Sequence, residues 1–249
     1  MKALFLSLFL IVSSAILAFG FDMTNGVFYV DRPVECRLVS QNGNVKTNHL
    51  VAGETYTVGN TLLEMVTSNK MTFYFGGGPM IEAGTNSEFS VNLFDQEIKN
   101  LDATPRKAEF GTHNLSIQFR QGEFAVLYPN QDSNSTVMVS TPFTMYQLNG
   151  GKYYFRVSDK SSIAYVLEGD MKVHGDKNKV DTTDKGKLAV AVPFTDPASG
   201  VEDKIITSIK PLKPDEVARF SNPVLAAEKK QDDVQFFIVG NRVVGILMK

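Results

Sequence analysis

The sequence contains a single cysteine, Cys36, and no tryptophan among its 249 residues. One cysteine cannot form an intrachain disulfide, so the fold has to be held together by its hydrophobic core. The formal net charge of −2 leaves no broad excess of basic residues, which a nucleic-acid-binding face requires. Nucleic acid is therefore not expected as a partner.

Sequence patterns for common catalytic and metal sites are also missing. His49, His113 and His174 lie far apart and form no HxH or HxxxH pair, so no metal site is predicted. No GxSxG motif is present to hold a nucleophilic serine. Four acidic residues could serve an envelope hydrolase but include no distinctive pair: Glu82, Glu88, Glu123 and Glu168. We predict a protein that is not an enzyme and has no cofactor, with the hydrolase as a less favoured alternative.

The first twenty residues, MKALFLSLFLIVSSAILAFG, have the pattern of a secretory signal peptide. Lys2 provides a basic start, an apolar run follows, and small residues stand at Ala18 and Gly20. This pattern predicts cleavage after Gly20 and export to the periplasm or the extracellular space. The alternative is an uncleaved anchor, because the apolar run approaches the length that spans a bilayer. Contact with a membrane is expected only through this segment.

From Phe21 to about residue 195, helical periodicity is nearly absent. Short runs rich in Val, Ile, Phe, Tyr and Thr recur instead, with starts roughly 8–12 residues apart, as in all-β sandwiches and barrels. Both faces of EFAVLY (123–128) are apolar, which indicates a strand covered on both sides. LSIQF (115–119) alternates, which indicates a strand with one wet face.

The C-terminal part is polar and rich in turns after about residue 176. Asn222 as N-cap and Pro223 at the first helical position predict a short helix over PVLAAEKK. The terminal VQFFIVGNRVVGILMK indicates two strands joined at Gly240–Asn241, a two-residue hairpin signal.

Three consecutive glycines begin at Gly76, within FYFGGGPMIEAGTNSEFSV (73–91). No Lys-Ser or Lys-Thr pair and no helical pattern follow them, so a phosphate-binding loop is not indicated and a turn between strands is. Residues 67–91 also align without a gap to residues 141–165, which predicts two related β-units. The matches are Thr67 with Thr141, Met71 with Met145, Gly76 and Gly77 with Gly150 and Gly151, and Ser87 with Ser161. Both glycine pairs are predicted to be turns between strands.

An aromatic run beside Arg156 is the candidate ligand contact. Tyr153, Tyr154 and Arg156 could stack on and bind a sugar or a peptide, so a carbohydrate-binding module is an alternative function. The competing interpretation is that alternate rings pack on the two faces of a buried strand.

Residues 67–175 resemble the FecR-like periplasmic domain in the order of their motifs. The opening TSNKMTFYFGGGPMIEAGTNSEFSV resembles a glycine turn followed by an Asn-Ser pair, here Asn86 and Ser87. The motifs that follow are IQFRQGEFAVLY, VMVSTPFTMYQLNGGKYYFRV and AYVLEGDMKV. The resemblance implies an all-β envelope domain, which in some members transmits a signal from an outer-membrane receptor to a sigma factor. Those regulators carry an anti-sigma segment before a membrane span, whereas here a signal peptide precedes the domain, as in stand-alone exported forms.

These features predict an all-β protein: a β-sandwich or jelly-roll-like coiled sheet of two related β-units, with a short helix and a C-terminal hairpin. Residues 1–20 would be the signal peptide, and 21–66 would be N-terminal strands packing on the body. Residues 67–175 would be the FecR-like domain, and 176–249 the closing strand, polar loops, helix and hairpin. The predicted function is non-catalytic binding of a protein or a cell-envelope polymer, with envelope signalling as its context.

Overall fold

The computed structural model describes residues 24–40, 42–58, 61–99, 106–129, 134–175, 180–195, 202–239 and 242–248. Within these ranges the chain forms one helix, α1 (Pro214–Glu228), and many strands. The strands are β1 (Thr24–Val30), β2 (Val34–Ser40), β3 (Val45–Leu50), β4 (Thr55–Val58), β5 (Thr61–Thr67), β6 (Met71–Phe75), β7 (Met80–Ala83), β8 (Ser87–Lys99), β9 (Arg106–Lys107), β10 (Glu109–Tyr128), β11 (Thr136–Ser140), β12 (Met145–Val157), β13 (Ser162–His174), β14 (Val180–Asp184), β15 (Lys187–Thr195), β16 (Glu202–Pro211), β17 (Val234–Val239) and β18 (Arg242–Leu247).

Most of these strands belong to one long, coiled sheet. Its order is β16-β15-β13-β12-β11-β10-β7-β6-β1-β8-β5-β2-β3, with β14 beside β13 and β4 beside β1. A separate small sheet has the order β18-β17-β9. The pairings are antiparallel except for β10 with β11, which is parallel. The all-β prediction, with one short helix and a C-terminal hairpin, is confirmed.

Strand β10 closes the large sheet on itself. Residues 109–121 pair with β8, and residues 114–118 of the same stretch pair with β11. After Gly122 the strand pairs instead with β12 and β7. One long strand therefore contributes to two regions of the sheet, which gives the architecture its closed, barrel-like character.

Gly150 and Gly151, which the sequence predicts to form a turn, lie inside a long, bent strand, and Gly122 and Gly169 lie inside strands in the same way. LSIQF and EFAVLY are both part of β10, and the strand continues through Gly122, which has φ +112°. Strands β12 and β13 likewise continue through Gly151 and Gly169, where their pairing register shifts. Because glycine adopts positive φ at no steric cost, these positions form β-bulges that bend a strand without ending it.

The interior of the coiled sheet is filled with aliphatic and aromatic side chains. Phe119 and Phe124, on opposite sides of the β10 bend, stack with ring centroids 3.9 Å apart and an interplanar angle of 4°. Phe89, Phe155 and Tyr146 extend this aromatic cluster. Val126, on the same face of β10 as Phe124, is also fully buried.

A second core lies on the outer face of the sheet. Ala125 and Leu127, which alternate with Phe124 and Val126, pack there against residues of α1 and the small sheet, including Phe220 and Phe236. EFAVLY is thus covered on both sides, as its sequence indicates. Ser116 and Gln118 are partly exposed, in agreement with one wet face for LSIQF.

Helix α1 begins nine residues earlier than predicted. Pro214, rather than Pro223, occupies the first helical turn, and Lys213 precedes it with extended backbone. Pro223 lies inside the helix, where it cannot donate a backbone hydrogen bond to Arg219. Burial of Phe220, Val224 and Ala227 against the sheet offsets this loss. The predicted turn at Gly240–Asn241 lies outside the described residues, whereas the strands on either side of it, β17 and β18, pair as a hairpin.

Candidate functional site

Tyr153 and Tyr154, two of the predicted ligand contacts, are buried. Tyr153 is 0 % exposed, and its hydroxyl shares its one proton between the carbonyl oxygens of Gly150 (2.6 Å) and Asp170 (2.7 Å). Tyr154 is 3 % exposed and packs on Phe220 of α1, with ring centroids 5.5 Å apart. Burial raises the pKa of both hydroxyls. The predicted stacking platform is therefore corrected: the two rings pack on opposite faces of β12, and neither ring is open to a ligand.

The two glycine pairs have different positions in the fold. Gly76 and Gly77 lie in the turn between β6 and β7, where the Gly78 N–H donates to the Phe75 carbonyl (3.0 Å). Gly150 and Gly151 lie within β12, not in a turn. A Cβ on Gly151 would stand 2.0 Å from the carbonyl oxygen of Glu168, so the close approach of β13 requires glycine there. The glycine pair that aligns in sequence with the β6–β7 turn therefore lies in a strand rather than in a turn.

Asn86 and Ser87 belong to the tight turn between β7 and β8. Asn86 has φ +56°, which is rare for a residue other than glycine. Thr67 holds this turn from the side, because its hydroxyl donates to the Gly84 carbonyl (2.7 Å) and accepts from the Ser87 N–H (3.0 Å). The Ser87 hydroxyl in turn accepts from the Glu123 N–H at 3.3 Å. The turn is therefore fixed to the bend of β10.

Arg156, the third predicted contact, lies beside this turn. A recess of about 840 Å³ is lined by residues 84–86, 121–123 and 156–159; we call it the turn-end recess. Asn86 and Arg156, which are 70 positions apart in the sequence, both line it. Gly122 and Glu123 form one wall of the recess, and the Ser87 hydroxyl contacts this wall. The fold therefore brings together three of the residues that the sequence singled out.

The turn-end recess carries charges of both signs on a rigid frame. Arg156 Nε and Glu123 Oε1 are 3.8 Å apart, and both side chains remain about half exposed. Asp159 adds a second exposed carboxylate on the turn after β12. Such groups can form hydrogen bonds and ion pairs with a ligand that has charged or amide groups. Glu123 could not be assigned to this recess from sequence, since its cross-strand partner Arg156 is known only from the register.

A charged network continues from the recess across the outer face of the sheet. Arg120 bridges Glu64 (2.7 Å) and Glu88 (3.3 Å), and Arg37 lies 3.6 Å from Glu64. Arg37, Glu64 and Glu88 of this network also line a second recess of about 450 Å³ next to β2 and β5. Sequence reasoning missed this network because its members are on four different strands. The signal available in the sequence was that these charged residues alternate with apolar residues that are buried, as Glu64 does with Met65.

The acidic residues considered for a hydrolase each have a basic partner. Glu82 is buried between Lys70 and Lys230, Glu88 pairs with Arg120, and Glu123 faces Arg156. Glu168 accepts from Lys152 at 2.6 Å, which lowers the pKa of Glu168. The four carboxylates are thus distributed over separate ion pairs.

The described part of the chain contains no cluster of three or more His, Cys, Asp and Glu side chains arranged to hold a metal ion. His49 is exposed on β3, whereas His113 is buried on β10 with its ring nitrogen 3.2 Å from the Ser135 hydroxyl. His174 lies on β13. Among the described residues, no helix has the length and apolar character needed to cross a membrane.

Comparison with known proteins finds no matching family model and no matching curated protein. Two crystal structures, each described as a putative anti-sigma factor from Parabacteroides distasonis ATCC 8503, show some structural similarity. One, at 2.50 Å resolution, has a TM-score of 0.39 and 12 % identity, covering 76 % of this chain and 100 % of its own. The other, at 1.65 Å, has a TM-score of 0.29 and 10 % identity, covering 89 % and 99 %. At such values the likeness establishes neither a shared family nor a shared activity.

Proposed function

We propose that this protein is an exported, non-catalytic binding protein of the FecR-like type that holds a protein or a cell-envelope polymer in its turn-end recess. The observation that supports the proposal best is the convergence on one recess of about 840 Å³ of Asn86 from the β7–β8 turn, Glu123 from the bend of β10 and Arg156 from the end of β12. Their frame is fixed by the hydrogen bonds of Thr67 and Ser87. A preformed site of this kind loses little conformational entropy when a ligand binds.

The ion pairing of the acidic side chains supports binding rather than catalysis. A glycoside hydrolase needs two carboxylates that face each other across one substrate bond. Glu82, Glu88, Glu123 and Glu168 instead belong to separate ion pairs. Envelope signalling is the context that the FecR-like motifs suggest. The carbohydrate alternative depended on exposed rings of Tyr153 and Tyr154 and is not proposed further.

Site-specific photocrosslinking tests the proposal. A photoreactive residue is placed at Thr85, which is exposed in the recess, and in a second protein at Lys185, which is exposed in the β14–β15 turn. Each is incubated with an envelope extract of the source cells. We expect a discrete adduct from position 85 and none from position 185. Identical adduct patterns from the two positions would contradict the proposal.

Charge reversal then separates binding from folding. Arg156→Glu should weaken adduct formation at position 85 at least about tenfold, because the ligand loses a cationic partner. Lys187→Glu is the matched control, since Lys187 and Asp184 form an ion pair of similar exposure elsewhere on the surface. The double variant Glu123→Arg/Arg156→Glu restores the internal pair with its orientation reversed. It should fold normally and still fail to bind; full recovery of binding would show that Arg156 has a structural role only.

A further inference from the structure

Strand β3 is the last strand of the large sheet and pairs with β2. Five of its six residues, from Val45 to His49, are exposed, and Leu50 is buried. Its outer edge pairs with no other strand of the described chain. An exposed strand edge presents unpaired backbone N–H and C=O groups to which a further strand can add.

The register identifies which backbone groups are free. In the β2–β3 hairpin, the Ser40 N–H donates to the Asn44 carbonyl at 3.0 Å, so Ser40 and Asn44 form a hydrogen-bonded pair. Hydrogen-bonded and non-hydrogen-bonded pairs alternate along an antiparallel ladder. With Arg37 opposite Thr47, the odd-numbered residues of β3 direct their N–H and C=O groups away from β2. Thr47 lies at the centre of this free edge.

A small apolar pocket adjoins the same edge on the inner face. It measures about 180 Å³ and is lined by Asn48 and Leu50 of β3, Leu38 of β2, and Tyr56 and Val58 of β4. Leu38 and Tyr56 are only half-buried, so the apolar core is incompletely covered here. A residue added opposite Asn48 would direct its side chain to the face on which this edge pocket lies, because cross-strand neighbours share a face.

Lys46 sets the charge that a partner strand has to present. It lies on the same face as Asn48, is exposed, and has no ion pair among the described residues. A partner residue opposite Lys46 is two positions from the residue opposite Asn48. An acidic residue therefore suits the first position and a large apolar residue the second.

A second copy of the chain fits this edge poorly. Antiparallel self-pairing must align the outward groups of Val45, Thr47 and His49, which allows only a few registers. With Thr47 opposite itself, Lys46 would lie beside Asn48 of the copy, close to the apolar pocket. If the register is shifted by two residues in one direction, Lys46 lies opposite Lys46 of the copy. If it is shifted by two residues in the other direction, Lys46 lies opposite Leu50 of the copy. Each register leaves the pocket unfilled or brings a charge to it.

We propose that β3 binds an extended segment of a partner protein by strand addition, with a large apolar side chain in the edge pocket and an acidic residue two positions away opposite Lys46. Backbone hydrogen bonds to Thr47 supply affinity and the edge pocket supplies specificity. This surface is separate from the turn-end recess, and the proposal does not depend on the function proposed for that recess.

A random heptapeptide display library selected on the purified mature protein tests this proposal. We expect enriched peptides that combine an apolar and an acidic residue two positions apart. Thr47→Pro should weaken their binding at least about tenfold, because it removes an outward N–H without breaking a β2–β3 hydrogen bond. Thr47→Ala is the matched control and should bind like the wild type. Lys46→Glu should shift the selected charge from acidic to basic.

Three results would overturn the proposal: no enrichment on the wild-type protein, equal binding by the Thr47→Pro variant, or Thr47-dependent dimerisation in sedimentation without peptide binding. Circular dichroism verifies that the proline variant is folded. If it is not, backbone N-methylation of a selected peptide provides the test on the wild-type protein. Methylation at alternate residues should abolish binding, and tolerance of methylation at every position would equally overturn strand addition.

Discussion

At the scale of single residues, close backbone approach decides where glycine is required. Gly151 (φ +134°) and Gly169 (φ +84°) face each other where β12 and β13 bend together. Cβ atoms there would stand 2.0 Å from the carbonyl oxygens of Glu168 and Gly150, respectively. Gly186 also has positive φ (+80°), yet no heavy atom lies within 4 Å of the place that a Cβ would occupy. A glycine can therefore be required by its positive φ alone, or by positive φ together with a neighbour that leaves no room for a Cβ atom.

Gly151→Ala should lower the free energy of unfolding by about 3–5 kcal/mol, because it adds a backbone clash to an unfavourable φ. Gly186→Ala carries the conformational cost alone and should lower it by about 1–2 kcal/mol. Urea denaturation followed by circular dichroism measures both. Equal losses in the two variants would show that the approach of β13 to β12 is easily relaxed.

At the scale of elements, helix α1 covers the outer face of the sheet through a few contacts. Phe220 packs on Tyr154 and Tyr165, with centroids 5.5 and 5.9 Å away. Ion pairs fasten the C-terminal end of the helix: Lys152 lies 2.9 Å from Glu228, and Lys230, just past the helix, lies 2.6 Å from Glu82. The helix is therefore held by packing along its length and by charge at its end.

Truncation of Phe220 should have a large effect on stability. Phe220→Ala removes a buried ring and should cost about 3–5 kcal/mol of unfolding free energy. Leu225 is 46 % exposed on the same helix, so Leu225→Ala should change it by no more than about 0.5 kcal/mol. Chemical denaturation of the two variants gives the comparison. Similar small losses in both would mean that α1 contributes little to the fold.

The ion pair between Lys152 and Glu168 predicts that stability depends on pH in the acidic range. The hydrogen bond from Lys152 lowers the pKa of Glu168 below its usual 4.5, so this stabilisation is complete above that value and lost as pH falls through the lowered pKa. Lys152→Met also removes the ion pair with Glu228, and because both carboxylates are more than a third exposed and screened, the change should cost only about 0.5–1 kcal/mol near pH 7. The difference from the wild type should shrink below about pH 4. A gap that stays constant across a pH series of melting curves would exclude a charge effect.

At the scale of the whole molecule, two cores share one sheet. Tyr146 and Tyr153 belong to the interior, and Tyr74 and Tyr154 to the outer core. Burial raises the pKa of each of these hydroxyls, for Tyr146 to about 12. Because a buried tyrosinate is unfavourable, both cores are stable only while these hydroxyls stay neutral.

Alkaline unfolding should follow from these tyrosines. Their folded pKa values exceed the ordinary value of 10.0, so the associated stability is complete below pH 10 and is lost as pH rises toward 12. The tyrosinate absorbance of these four buried tyrosines should appear together with loss of the circular dichroism signal. Tyr146→Phe should delay this transition. Gradual ionisation of all tyrosines near pH 10 in a still-folded protein would contradict the prediction.

The sequence by itself determined the secondary-structure class, because strand alternation, turn residues and hairpin signals are local. It also marked EFAVLY as covered on both sides, since both of its faces are apolar. Tertiary structure alone decided whether Gly122, Gly151 and Gly169 end a strand or bend it, because that depends on which strand lies alongside. It likewise decided that Tyr154 is covered by α1 and that Arg156 meets Asn86 at the turn-end recess. These outcomes depend on contacts between residues far apart in the chain, which no local pattern encodes.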